Sequence, residues 1–182
     1  NLPAQLSNND GPSIELGLRF RSEVPGFITK VHFYRNPAAN PPAGNETLTA
    51  NLYTNTGTLL GTGSLIVDNV STGWVVINLN TPVAVAANTS YVASVFVPSG
   101  NYPFTLSQFL NNGVSNPPLV ALQNGVDGAN GVYAYGGGFP TSSFNGSGYW
   151  VDVTLVALTV TVNDVTPPTL TCPMNDTQNT DL

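Results

Sequence analysis

Apolar and polar residues alternate one for one through much of this chain, and Gly or Pro breaks the pattern every few residues. A two-residue period is the signature of an extended strand, whose successive side chains point to opposite faces. In Ile14-Glu15-Leu16-Gly17-Leu18-Arg19-Phe20-Arg21 the apolar side chains share one face, and Glu15, Arg19 and Arg21 share the other. Phe27–Arg35 reads likewise, with Val31 and Phe33 inward and Lys30 and His32 outward. Pro25-Gly26 marks a turn between the two runs. The chain holds 18 Gly and 15 Pro, and both residues are poor in helix interiors.

Further strands are expected at 47–54 and 58–65, joined through Asn55-Thr56-Gly57 as a hairpin, where Gly57 supplies a positive φ. Trp74–Leu79 follows and is broken at Thr81-Pro82-Val83; Ser90–Val97 is a strong strand. From Pro98 to Tyr149 the chain turns rich in Gly, Asn and aromatics, with short strands near 104–106 and 132–135. A long apolar strand closes the pattern at 149–162. Eight or more strands with long connections predict an all-β, jelly-roll-like antiparallel β-sandwich over residues 1–162. Asn163 to Pro168 reads as a boundary, and 163–182 as a linker too short to fold alone.

Charge narrows the function. All four cationic side chains, Arg19, Arg21, Lys30 and Arg35, and the single His32 lie within one stretch, and none follows Arg35. The net charge is −6 and charged residues make up only 8%, so the Lys/Arg clusters that neutralise nucleic acid or anionic lipid are missing. No run approaches the roughly 20 apolar residues of a membrane helix. One His offers no metal triad, and no nucleophile elbow precedes a helix, so an enzyme is not expected. If the first two strands form a hairpin, Arg19, Arg21, Lys30 and His32 share a solvent face; the alternative is cross-strand pairing with Glu15 and Glu23.

Residues of about 13–156 resemble the bacterial extracellular family of the domain of unknown function 4082. Glu15–Ser22, Ile28–Arg35, Leu52–Leu60, Tyr91–Ser94, Gly131–Tyr133, Phe139–Phe144 and Tyr149–Val153 carry the resemblance. It implies a module of multidomain secreted proteins, often beside immunoglobulin-like or carbohydrate-active domains, and brings no catalytic residues. Asp164–Pro173 is similar to the opening of a hyalin-type, immunoglobulin-like repeat. That likeness implies further repeats in the same polypeptide and a disulfide partner for Cys172 further on.

Two kinds of site remain open. Asp10, Asp127 and Asn130 sit in Asn/Asp/Gly-rich loops and carry the oxygen ligands Ca²⁺ takes, although Asp-Gly and Asn-Gly are also plain turn formers. Tyr102, Tyr133, Tyr135 and Phe139, with Asn130, offer ring faces and an amide for a sugar. The alternative is that such rings plug the end of the sandwich, the expectation for Trp74, Trp150 and Phe144. The expected function is a non-catalytic, extracellular or cell-surface adhesion module that binds carbohydrate or another surface protein, with calcium as a possible loop staple. The rival is a structural spacer or assembly domain of a surface fibre.

Overall fold

The computed structural model describes residues 2–37 and 42–158. Thirteen strands are present among them. The large sheet runs β12 (Ser142–Ser143), β11 (Val132–Tyr135), β2 (Ile14–Ser22), β7 (Ser90–Val97), β4 (Glu46–Thr54), β5 (Leu59–Val67). A hairpin of β9 (Val114–Asn116) and β10 (Leu119–Ala121) extends it by pairing β10 with the far end of β2. The small sheet is β13 (Val151–Ala157), β3 (Gly26–Arg35), β6 (Gly73–Val85). A third ribbon pairs β1 (Gln5–Asn9) with β8 (Asn101–Phe104). Every pairing between named strands is antiparallel.

The expected antiparallel sandwich is what forms. Leu16, Leu18 and Phe20 of β2, Leu48 and Leu52 of β4 and Val95 of β7 meet Ile28, Val31 and Phe33 of β3, Ile77 of β6 and Val153 of β13 in one buried core. The inward sets of β2 and β7, and Val31 and Phe33 of β3, are those the alternation predicted, whereas a register shift between Ile28 and Lys30 brings Ile28 inward against the alternation. The chain switches sheets between β2 and β3, β3 and β4, β5 and β6, and β6 and β7, the sheet-crossing habit of a jelly-roll-like sandwich. Gly63 lets two layers meet: a Cβ there would overlap the Asn78 carbonyl of β6. The break expected at Pro82 is instead a bulge inside one long β6, whose register against β3 shifts between Ile28 and Lys30.

Two expectations fail for one reason. β2 and β3 are not a hairpin: the Pro25-Gly26 turn leads from one sheet to the other. Arg19, Arg21, Lys30 and His32 therefore share no solvent face. The outward face of β2 is not solvated either: the loop joining β10 and β11, which pair edge-on with β2, lies over Arg19 through Gly128 and Ala129, and Asn51 and Ser94 of the neighbouring strands engage Glu15. Glu15 is 1% exposed and Arg19 7%. The only ion pairs among the described residues belong to Arg35, whose Nη2 lies 3.3 Å from Glu46 and whose Nη1 lies 3.6 Å from Asp68. Neither Glu15 nor Glu23 is paired with a cation there. Cys172, the boundary near residue 162 and the hyalin-like segment lie outside the described residues.

Candidate functional site

Asp10 follows β1, and β1 lies against β8. That pairing brings the Asp10 carboxylate to Tyr102 of β8, whose hydroxyl donates to Oδ2 at 2.7 Å. β11 pairs with the start of β2, Tyr135 opposite Ile14, and so delivers a second donor: the Tyr135 hydroxyl reaches the same oxygen at 2.8 Å. Asn8 Nδ2 donates to Asp10 Oδ1 at 2.9 Å and to the Tyr102 hydroxyl at 2.7 Å. Tyr133, 5.5 Å from Tyr135 ring to ring, and Tyr149, 5.7 Å from Tyr102, complete the wall edge to face. With Phe104 and Phe144 these groups enclose a cleft of about 310 Å³.

Its electrostatics are simple. One carboxylate sits among rings, and each hydroxyl that faces it is held protonated. The hydrogen bond to Asp10, with a smaller contribution from burial, pushes Tyr135 up to about 12. Burial first, then the Asp10 bond, raises Tyr102 further. Burial, with Tyr133 and Asp10 nearby, raises Tyr149. Tyr102, Tyr135 and Tyr149 thus stay protonated across the whole physiological range. The hydroxyls of Tyr133 and Tyr149 carry no protein partner among the described residues, and Tyr135 stands 52% exposed.

Four of the residues singled out from sequence meet here: Asp10, Tyr102, Tyr133 and Tyr135. Asn130 does not. It is fully buried, its Oδ1 accepts from the Arg19 backbone N–H at 2.7 Å, and its Nδ2 donates to the carbonyls of Arg19 and Leu122. Its amide stitches the 122–131 loop to β2 and has nothing left for a ligand. Phe139 also goes elsewhere, packing its ring 5.3 Å from Tyr53 in a small second core with Val92 and Val132. Asp127 accepts from Ser90 Oγ at 2.6 Å beside the Arg19 guanidinium. Arg19 lies five residues along β2 from the strand end that carries the tyrosine cleft, about 16 Å away. The proposed calcium donors Asp10, Asp127 and Asn130 are therefore not brought together. No group of three His, Cys, Asp or Glu side chains converges among the described residues.

Sequence reading missed Asn8, Tyr149 and Phe144. Phe144, expected to plug the sandwich, is 53% exposed at the cleft. Tyr149 belongs to the aromatic cluster of the second half but shows no periodicity to single it out, and Asn8 lies two residues before Asp10 in the loop read for calcium. With the geometry in place, the comparison with known families is direct. The model for the domain of unknown function DUF4082 matches residues 1–151. The chain belongs to this family. No curated protein matches it. The DUF4082 match spans every strand from β1 to β12 and includes all the residues of the tyrosine cleft.

Proposed function

We propose that the chain is a non-catalytic carbohydrate-binding module of an extracellular or cell-surface protein. One observation carries this reading: Tyr102, Tyr133 and Tyr135, from two strands distant in sequence, converge with Asp10 and Asn8 on one cleft. Sugars present C–H faces flanked by hydroxyls. Tyrosine matches both, with an apolar ring and a polar tip. Asp10 fixes two of the hydroxyls before any ligand arrives, which lowers the ordering cost of binding. The free hydroxyls of Tyr133 and Tyr149 then remain to bond the sugar. At about 310 Å³ the cleft is at the small end of ligand sites, suited to a sugar unit or two.

Catalysis is a poor match for the same residues. Glycoside hydrolysis uses two carboxyl groups about 5–10 Å apart, and Asp10 is the one carboxylate lining this cleft. It is already engaged by three donors. A glycan array probed with the intact domain tests the reading. Saturable binding is expected, and Tyr135→Ala should abolish it for glycans that carry no 2-acetamido sugar while the melting curve stays in place. Concentration-dependent filaments with no glycan signal would instead favour a fibre-assembly role.

A further inference from the structure

A second cleft, of about 270 Å³, opens between the two sheets on the other side of Tyr149. Both tryptophans of the chain line it. Trp74, on β6, is 46% exposed although its ring packs 6.0 Å from Trp150 and 5.7 Å from Tyr34. Trp150 is held at φ 55, a left-handed conformation that bulky side chains rarely adopt. Its indole is fixed there by a 3.0 Å bond from Nε1 to Thr105 Oγ1. Backbone strain of this kind persists only where the surrounding structure over-determines it, and it clusters at ligand clamps and active sites.

The deeper wall is apolar, formed by Phe109 and Leu119 among others, with Gln108 as a polar group set into it. Gln108 Oε1 is buried without a hydrogen-bond partner. It lies against Gly148, where any side chain would overlap it. A buried amide oxygen left unmatched is costly and calls for a reason. Gln108 lines the cleft, and its Nε2 makes no protein hydrogen bond among the described residues, so its amide is available to a ligand.

We propose that this cleft is a second sugar subsite, selective for a 2-acetamido hexose. The pyranose face stacks on Trp74. The acetamido carbonyl accepts from Gln108 Nε2, and the acetamido methyl enters the apolar pocket against Phe109 and Leu119. A plain hexose has no apolar substituent to fill that pocket. The site stands apart from the tyrosine cleft and does not depend on sugar binding there.

Because both tryptophans line this cleft, intrinsic tryptophan fluorescence reports on it directly. The intact domain is titrated with tri-N-acetylchitotriose and, separately, with cellotriose. The chitotriose titration should give a saturable change in intensity and a shift of emission to shorter wavelength, at least tenfold tighter than cellotriose. Gln108→Ala should weaken it at least tenfold, and Tyr135→Ala should leave it unchanged. Trp74→Phe, which retains an aromatic ring, keeps the test valid should a Gln108 variant fold poorly, and is expected to weaken binding severalfold. No saturable change with chitotriose, or an equal response to cellotriose, overturns the proposal. Loss of the signal in Tyr135→Ala overturns the separateness of the two sites, whereas failure of the tyrosine cleft alone appears as an array signal insensitive to Tyr135→Ala.

Discussion

The two faces of β2 are both buried, and by opposite chemistry. Inward, Ile14, Leu16, Leu18 and Phe20 meet the aliphatic core between the sheets. Outward, Glu15 and Arg19 are buried among polar partners, Ser94 and Asn51 for Glu15, and Asn130 and the 122–131 loop for Arg19. The inner face is held by area removed from water and by close packing. The outer face holds by satisfying each polar group in turn, and it fails where one is left over. A burial pattern alone would call the two faces equivalent, but their responses to mutation should differ in size and even in sign.

The largest effect belongs inside. Phe20→Ala removes a fully buried ring and should cost about 3–5 kcal/mol in urea unfolding. On the outer face Asn130→Ala strands the Arg19 N–H and the Leu122 carbonyl, while the Arg19 carbonyl keeps the Leu122 N–H. At about 1–3 kcal/mol for an unsatisfied buried group, a loss of roughly 2–4 kcal/mol is expected. Hydrogen exchange should show it concentrated in the 122–131 loop. A loss as large and as global as that of Phe20→Ala would erase the distinction between the faces.

Glu15 sharpens the comparison by reversing the sign. Its Oε1 accepts from Ser94 Oγ and, at 3.0 Å, from Asn51 Nδ2. Desolvation outweighs both bonds and raises its pKa above the ordinary 4.5. In the unfolded chain the carboxyl ionises near 4.5; in the folded protein it holds its proton to higher pH. Unfolding therefore releases a proton in that window, and stability falls as pH rises from about 4.5 through the folded value. Glu15→Gln should remove this slope and raise the thermal midpoint at pH 7. A lower midpoint at pH 7 for the Gln variant would show the charge to be stabilising where it sits. The smallest stability effect is expected at Tyr135, half exposed at the cleft. Tyr135→Ala should shift unfolding by under about 1 kcal/mol.

These contrasts explain what could be read before folding. Period-two alternation placed the inner face of β2, and Val31 and Phe33 of β3, because the sandwich core demands it; the bulge of β3 near Ile28 left no such period to read. The same alternation misassigned Glu15 and Arg19, since a strand's pattern records only that two faces differ, and the element that covers the second face lies more than a hundred residues away. The tyrosines at 102, 133 and 135 stood out as rings amid Gly and Asn with no core period to claim them, and they do converge. Phe139 stood out equally, yet a ring that can reach Tyr53 is buried there instead. Asn130 looked like a loop ligand, but the only groups within its reach are backbone amides. Local chemistry thus named the kinds of group present, and long-range pairing decided which of them faced solvent.

The most direct test of the tyrosine cleft is the aromatic NMR spectrum of the intact domain, titrated with the strongest glycan from the array. Ring resonances of Tyr102, Tyr133 and Tyr135 should shift together and saturably, while those of Phe20 and Phe33 in the core stay fixed. Tyrosine signals that remain unmoved at saturation, or shifts confined to other faces of the sandwich, would contradict the account.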